Sequence, residues 1–236
     1  MTTTIVATET RRSINAAKTA GWLFIGAALS MAGYLGIALS IGGGYEQDLI
    51  DAAERTGASE NTLPSSVNSI VVHDHAVYAV LTGLYLLLPP ALLLAATIRL
   101  RAAVGDGRRS QRLALASLVV WYAYDALTFG LLSAPDHLLP PVRALDVLTV
   151  PMVSASAVLA MAALICAGEA TRRAGVLRRS AVAATVLSSV LLVLGTAEMV
   201  GSGFEDPVAP IGLIPVGLIL GIPLVRYASS AQRGIG

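Results

Sequence analysis

Arginine arrives in this chain in short blocks, and between the blocks stand apolar runs long enough to cross a bilayer. That alternation constrains the fold more than any other feature. A hydrocarbon core is spanned by about 20 residues of helix. Six runs reach that length, near residues 20 to 41, 76 to 98, 113 to 134, 146 to 168, 180 to 201 and 208 to 227. Lipid cannot satisfy free backbone amides, so each run reads as a helix even where β-branched residues or prolines abound. The expected fold is an all-α integral membrane protein, a bundle of six transmembrane helices. Composition agrees: 55% of the residues are hydrophobic and 13% charged, against about a quarter charged in soluble domains.

The basic residues orient the spans, because Lys and Arg are retained on the cytoplasmic side. Arg11, Arg12 and Lys18 precede the first span. Arg99, Arg101, Arg108, Arg109 and Arg112 fill the second connection, Arg172, Arg173, Arg178 and Arg179 the fourth, and Arg226 and Arg233 the C-terminal end. Only Arg55 and Arg143 fall elsewhere, so fourteen of sixteen basic residues share one side under a single alternating assignment. Both termini are therefore expected in the cytoplasm. Residues 1–19 read as a cytoplasmic segment, 20–229 as the membrane domain and 230–236 as a cytoplasmic tail. A cleaved signal peptide competes for the first run, with Ala38-Leu39-Ser40 as its cleavage site, but the run exceeds the 7 to 15 residues of a signal core. Its Ala28, Ala32, Gly36 and Ser40 recur every four positions, a face that admits a close neighbouring helix.

The outward connection 42–75 is acidic, and "YEQDLIDAAERTGA" has the pattern of a short amphipathic helix over 45–57, with a solvated loop as the alternative. A single lysine among sixteen basic residues, with abundant Ala, Gly, Val and Leu, points to a GC-rich bacterial genome and hence to a bacterial cytoplasmic membrane. "RRSQRLALASLVV" and "RRSAVAATVLSSV" also echo one another, as the starts of two repeated hairpins would.

Asp125 is the least ordinary residue. It lies about 20 Å along the helix from Arg112, beyond the midplane toward the outside. A carboxylate at that depth costs about 2.5 to 3.5 kcal/mol on insertion scales and usually faces a bundle interior or a cavity. Helical spacing groups it with Ser117, Trp121, Tyr124 and Thr128 in one polar, aromatic stripe. Two roles follow: a protonatable or coordinating group for a solute, or one side of a hydrogen bond between helices. Glu198, about 28 Å past Arg179, belongs near the outer interface. With Asp146 at the start of the fourth span and with His73, Asp74 and His75, it makes an acidic and imidazole-bearing outer rim.

Within that rim, helical geometry would point His73 and His75 about 200° apart, so the pair cannot chelate one ion unless extended. Asp74 is suited to cap the second span. The order of readings is cap and interface, then proton-sensitive gate, then metal. Three outward histidines supply no pair for haem, the lone Cys166 supplies no thiolate cluster, and HExxH, GxSxG, P-loop and Rossmann patterns are absent. No cofactor, metal or nucleic-acid partner is expected. Pro89-Pro90 in the second span, and Pro210, Pro215 and Pro223 beside Gly212, Gly217 and Gly221 in the last, are helix-breaking elements of the kind that open cavities.

Three functional readings stand at this point. The first is a membrane protein that binds or moves a small solute, cation or proton, with Asp125 as its working group, Trp121 and Tyr124 as walls, and Glu198 with His75 as outer gate. The second is an intramembrane enzyme on a lipid or isoprenoid, with Asp125 and Glu198 as acid and base. The third is a non-catalytic subunit that meets a partner or a second copy through the small-residue faces of spans one and six. The first ranks ahead.

Overall fold

The computed structural model describes residues 2–57, 71, 74–132, 140–200 and 209–233. Helix α1 spans Thr2–Ile37 and continues through a π-helical turn, Ala38–Gly42, into α2, Gly43–Thr56. Then follow α3 (Ala76–Val104), α4 (Arg108–Leu132), α5 (Pro140–Arg173) and α6 (Arg178–Val200). A 3₁₀ turn, Ala209–Gly212, leads into α7, Leu213–Arg233. Among the described residues there is no strand.

Among the described residues, five helical stretches are long and apolar enough to cross a membrane: Thr10–Thr56, Ala76–Val104, Pro151–Arg173, Arg178–Ala197 and Pro210–Arg233. The third of the six expected spans corresponds to α4, which is helical over 25 residues but is not among these five. Its outer end, residues 128–132, has side chains outside the described residues, and its described part carries Trp121, Tyr122, Tyr124 and Asp125. The same side chains make it the most chemically interesting helix.

The helices form a closed ring in chain order. Helix α1 packs along α3 on one side and α7 on the other, and α5 packs along α4 and α6. Looser contacts of α3 with α4 and of α6 with α7 join these two triplets. The hairpins α3–α4 and α5–α6, which the sequence echo would make alike, therefore differ: the first is splayed and the second packed throughout. Their turns are short because Gly105 (φ 76°) and Gly175 (φ 73°) take the left-handed conformation, and the Gly105 amide returns to the Arg101 carbonyl at 2.9 Å. A left-handed glycine closes a helix without the penalty a Cβ would bring.

Size sorting shows what solvent the ring expects. Alanine is the commonest buried residue, whereas Leu29, Val77, Val80, Val119, Val186, Val190 and Val193 are all more than half exposed. A collar of large aliphatic side chains is a liability in water and the ordinary surface of a protein in lipid. Between helices in lipid the hydrophobic effect gives little, so close approach of small residues must supply the packing. Helices α1 and α7 show it: a Cβ on Gly221 would lie 2.7 Å from the Gly21 carbonyl oxygen, and one on Gly217 2.8 Å from that of Phe24. The GxxxG face of α7 is thus occupied by α1 of the same chain. Of the small residues in α1, Ala28 joins this contact, while Gly36 has open space around it and Ser40 is exposed.

Polar pairs mark one end of the ring. Ser13 Oγ donates to the Ala103 carbonyl at 2.8 Å, Arg101 to Gln111 at 2.9 Å, and Lys18 to Gln232 at 3.3 Å. These contacts bring the beginning of α1, the α3–α4 turn and the end of α7 together, and Arg173 of α5 reaches Asp106 at 4.0 Å. The arginine blocks share this end.

Candidate functional site

The inner face of α4 is read straight off its helical period. Ser110, Ala114, Ser117, Trp121 and Asp125, three or four residues apart, are all buried, and Leu115 and Val119 on the opposite side are exposed. Two hydroxyls fasten this face to α5: Ser110 Oγ donates to the Ala163 carbonyl and Ser117 Oγ to that of Ser156, both at 2.8 Å. The bonds are seven residues apart on each helix, so the antiparallel register is constant between them. Carried one turn outward, it sets Ser154 level with the turn between Ser117 and Trp121.

Where the two triplets meet, a narrow cavity of about 20 Å³, room for little more than one water, opens in the middle of the ring. Met31 of α1, Pro89, Pro90 and Leu93 of α3, Ser117 and Trp121 of α4, Ala157, Ala160 and Met161 of α5, and Pro210 and Leu213 at the last helix line it. The prolines explain why the helices do not close here. A proline lacks the amide that would bond back, and its ring pushes the preceding turn aside. The walls are apolar, since the Ser117 hydroxyl is already committed to α5.

The outer end of this cavity is different. Trp121 Nε1, Asp125 Oδ2 and Ser154 Oγ are buried and have no hydrogen-bond partner. Their residues are 5%, 6% and 1% exposed. Trp121 lines the cavity, Asp125 follows it by one turn on α4, and Ser154 precedes Ala157 by one turn on the cavity face of α5. Elsewhere in the ring a helical hydroxyl turns back on its own helix, as do Ser30, Thr97, Ser156, Thr171 and Thr185 at 2.8 to 3.0 Å. A buried polar group left unpaired costs about 1–3 kcal/mol, and such groups in native proteins call for an occupant or a role. Ser188 Oγ is also unpartnered, but it sits on α6 one turn beyond Thr185, nearer the arginine end.

Of the remaining predicted residues, those whose side chains are described are not brought into this group. Tyr124 is half-buried and does not line the cavity. Thr128, Asp146 and Glu198 stand on α4, α5 and α6, with side chains outside the described residues, and His73 is outside them altogether. Asp74 is exposed, and the capping expectation needs correction: the residue before α3 is His75, with no side-chain cap. His75 is drawn instead toward α2, where its Nε2 donates to Asp48 Oδ2 at 2.7 Å, and its ring meets that of Tyr45 edge-on at 5.6 Å. Among the described residues no three of His, Cys, Asp or Glu come together as a metal site would require.

No protein family, no curated protein and no solved structure matches this chain.

Proposed function

We propose that this chain is a six-span protein of a bacterial cytoplasmic membrane, both termini in the cytoplasm, which binds or moves a small solute through the cavity beneath Asp125. The solute class that suits the walls is small and amphiphilic, with a cationic or hydrogen-bonding head and a short apolar body. The head would meet Asp125 Oδ2, Trp121 Nε1 and Ser154 Oγ. The body would rest among Met31, Leu93, Met161 and Leu213 once the proline-broken helices part, because the cavity as it stands has room for little more than one water. Tyr124 and Thr128 flank the head position on α4, and Glu198 with the rim residues His73, Asp74, His75 and Asp146 would guard the outer mouth.

One observation carries this reading: a carboxyl oxygen at membrane depth, 6% exposed as a residue and without a partner, stands one turn from a cavity. Intramembrane carboxylates are costly and are kept for a purpose, and ligand sites are mostly apolar with a few convergent polar groups. The partner-subunit reading loses support because Gly217 and Gly221 are packed against α1 in the same chain.

The direct test is a thermal-shift and uptake screen of small organic ammonium ions and neutral amphiphiles, comparing wild type with Asp125→Asn. A stabilising solute whose effect disappears in Asp125→Asn, with helicity retained, is the expected result. An equal shift in both proteins removes Asp125 from the site. Topology is checked separately in a Cys166→Ala background, by impermeant maleimide on intact cells. Ala58→Cys should label and Ala174→Cys should not, and the reverse pattern would invert the orientation.

A further inference from the structure

Away from the central cavity, the arginine end carries a second recess of different chemistry. The register that joins α4 to α5 makes it. Ser110 lies opposite Ala163, so α4 begins about level with Ile165, while α5 runs on to Arg173. Two further turns of α5 therefore stand beyond the start of α4. The notch so formed is floored by Gly107, Arg108, Arg109 and Ser110 and walled by Cys166, Glu169 and Arg173, with a volume of about 480 Å³.

Its charges do not cancel locally. Glu169 is held by Arg172 at 2.8 Å, and Arg173 adds a longer contact at 3.7 Å. One oxygen of Asp106 accepts the Gly107 amide at 2.7 Å, and the other is 4.0 Å from Arg173. Both acids in the lining thus have their cations. Arg108 and Arg109 have no ion pair with any described acid, although both line the recess. Two consecutive arginines without counterions, both lining a concave site, supply the charge and the N–H donors that a phosphate group takes. The amide end of α4 adds to the same field.

We infer that this notch binds a phosphate group, supplied either by the headgroup of an anionic phospholipid or by a soluble phosphate ester. Arg108 and Arg109 make the charged contacts, and Arg173 closes the wall. The proposal is independent of the cavity beneath Asp125, which lies deeper in the ring.

The test uses the full-length protein in uncharged detergent, with short-chain phosphatidylglycerol and glycerol phosphate as separate probes. Binding is read by native mass spectrometry and by slower maleimide labelling of Cys166, which lines the notch. Binding of phosphatidylglycerol alone identifies a lipid headgroup site, and binding of both probes identifies a site open to soluble phosphate. In either case Arg108→Gln with Arg109→Gln should weaken binding about tenfold or more, and Arg178→Gln with Arg179→Gln, at the start of α6, should leave it within about twofold. No binding of either probe, no protection of Cys166, or an equal loss in the two double variants overturns the proposal. Both pairs are exposed, and circular dichroism verifies that each variant keeps its helicity.

Discussion

The contact of α1 with α7 and the contact of α4 with α5 are both antiparallel seams of small residues, built on different chemistry. In the first, glycines let backbones meet directly, and an added Cβ would collide with a carbonyl oxygen at 2.7 or 2.8 Å. In the second, serines on α4 reach across to carbonyls of α5, and one turn farther out the polar atoms lose their partners. The glycine seam is saturated and has nothing to offer a ligand. The serine seam holds its register firmly at one end and leaves unpaired hydrogen-bonding capacity at the other.

The comparison breaks most readily at the glycine seam. Gly221→Ala forces its methyl against the Gly21 backbone, and overpacking of that kind costs about 1–3 kcal/mol, to be measured by thermal or chemical unfolding in detergent. Gly36→Ala in α1, where an added Cβ meets nothing within 4 Å, should be neutral or gain up to about 1 kcal/mol, since alanine is the better helix former. Equal losses at the two glycines would show that α1 and α7 are not in direct backbone contact. The serine seam predicts a smaller loss for Ser117→Ala, about 0.6 kcal/mol, the mean for hydrogen bonds between membrane helices. Smallest of all is Ser154→Ala, expected within about 0.5 kcal/mol in stability because no bond is lost. The same substitution should weaken any solute that depends on Asp125. A stability loss at Ser154 as large as at Ser117 would mean that its hydroxyl has a structural partner, and the head site would shrink to Trp121 and Asp125.

Much of the site was legible in advance and some of it was not. The stripe of Ser117, Trp121 and Asp125 follows from helical period, which is local and needs no partner. Ser154 had no such signal, because in "VSASAVLAMAALICAG" it is one small residue among alanines. Only the α4–α5 register lifts it to the level of Trp121. The exchange of the expected Asp74 cap for a His75–Asp48 pair likewise depends on α2 running straight on from α1 beside the start of α3. No reading of residues 73 to 75 alone contains that.

Alone, the chain's order of residues determined that the apolar runs are helical and that arginine clusters at alternate boundaries, but not that the first helix runs on from Thr2 to Thr56. Those properties come from neighbours along the backbone and from a solvent that tolerates no unpaired amide. Which glycines are spent on α1, where the prolines leave space, and which buried atoms go without a bond were decided by tertiary packing. A hydroxyl, an indole nitrogen or a carboxyl has the same chemistry wherever it stands. Whether it is satisfied depends on the atoms that another helix brings within 3 Å.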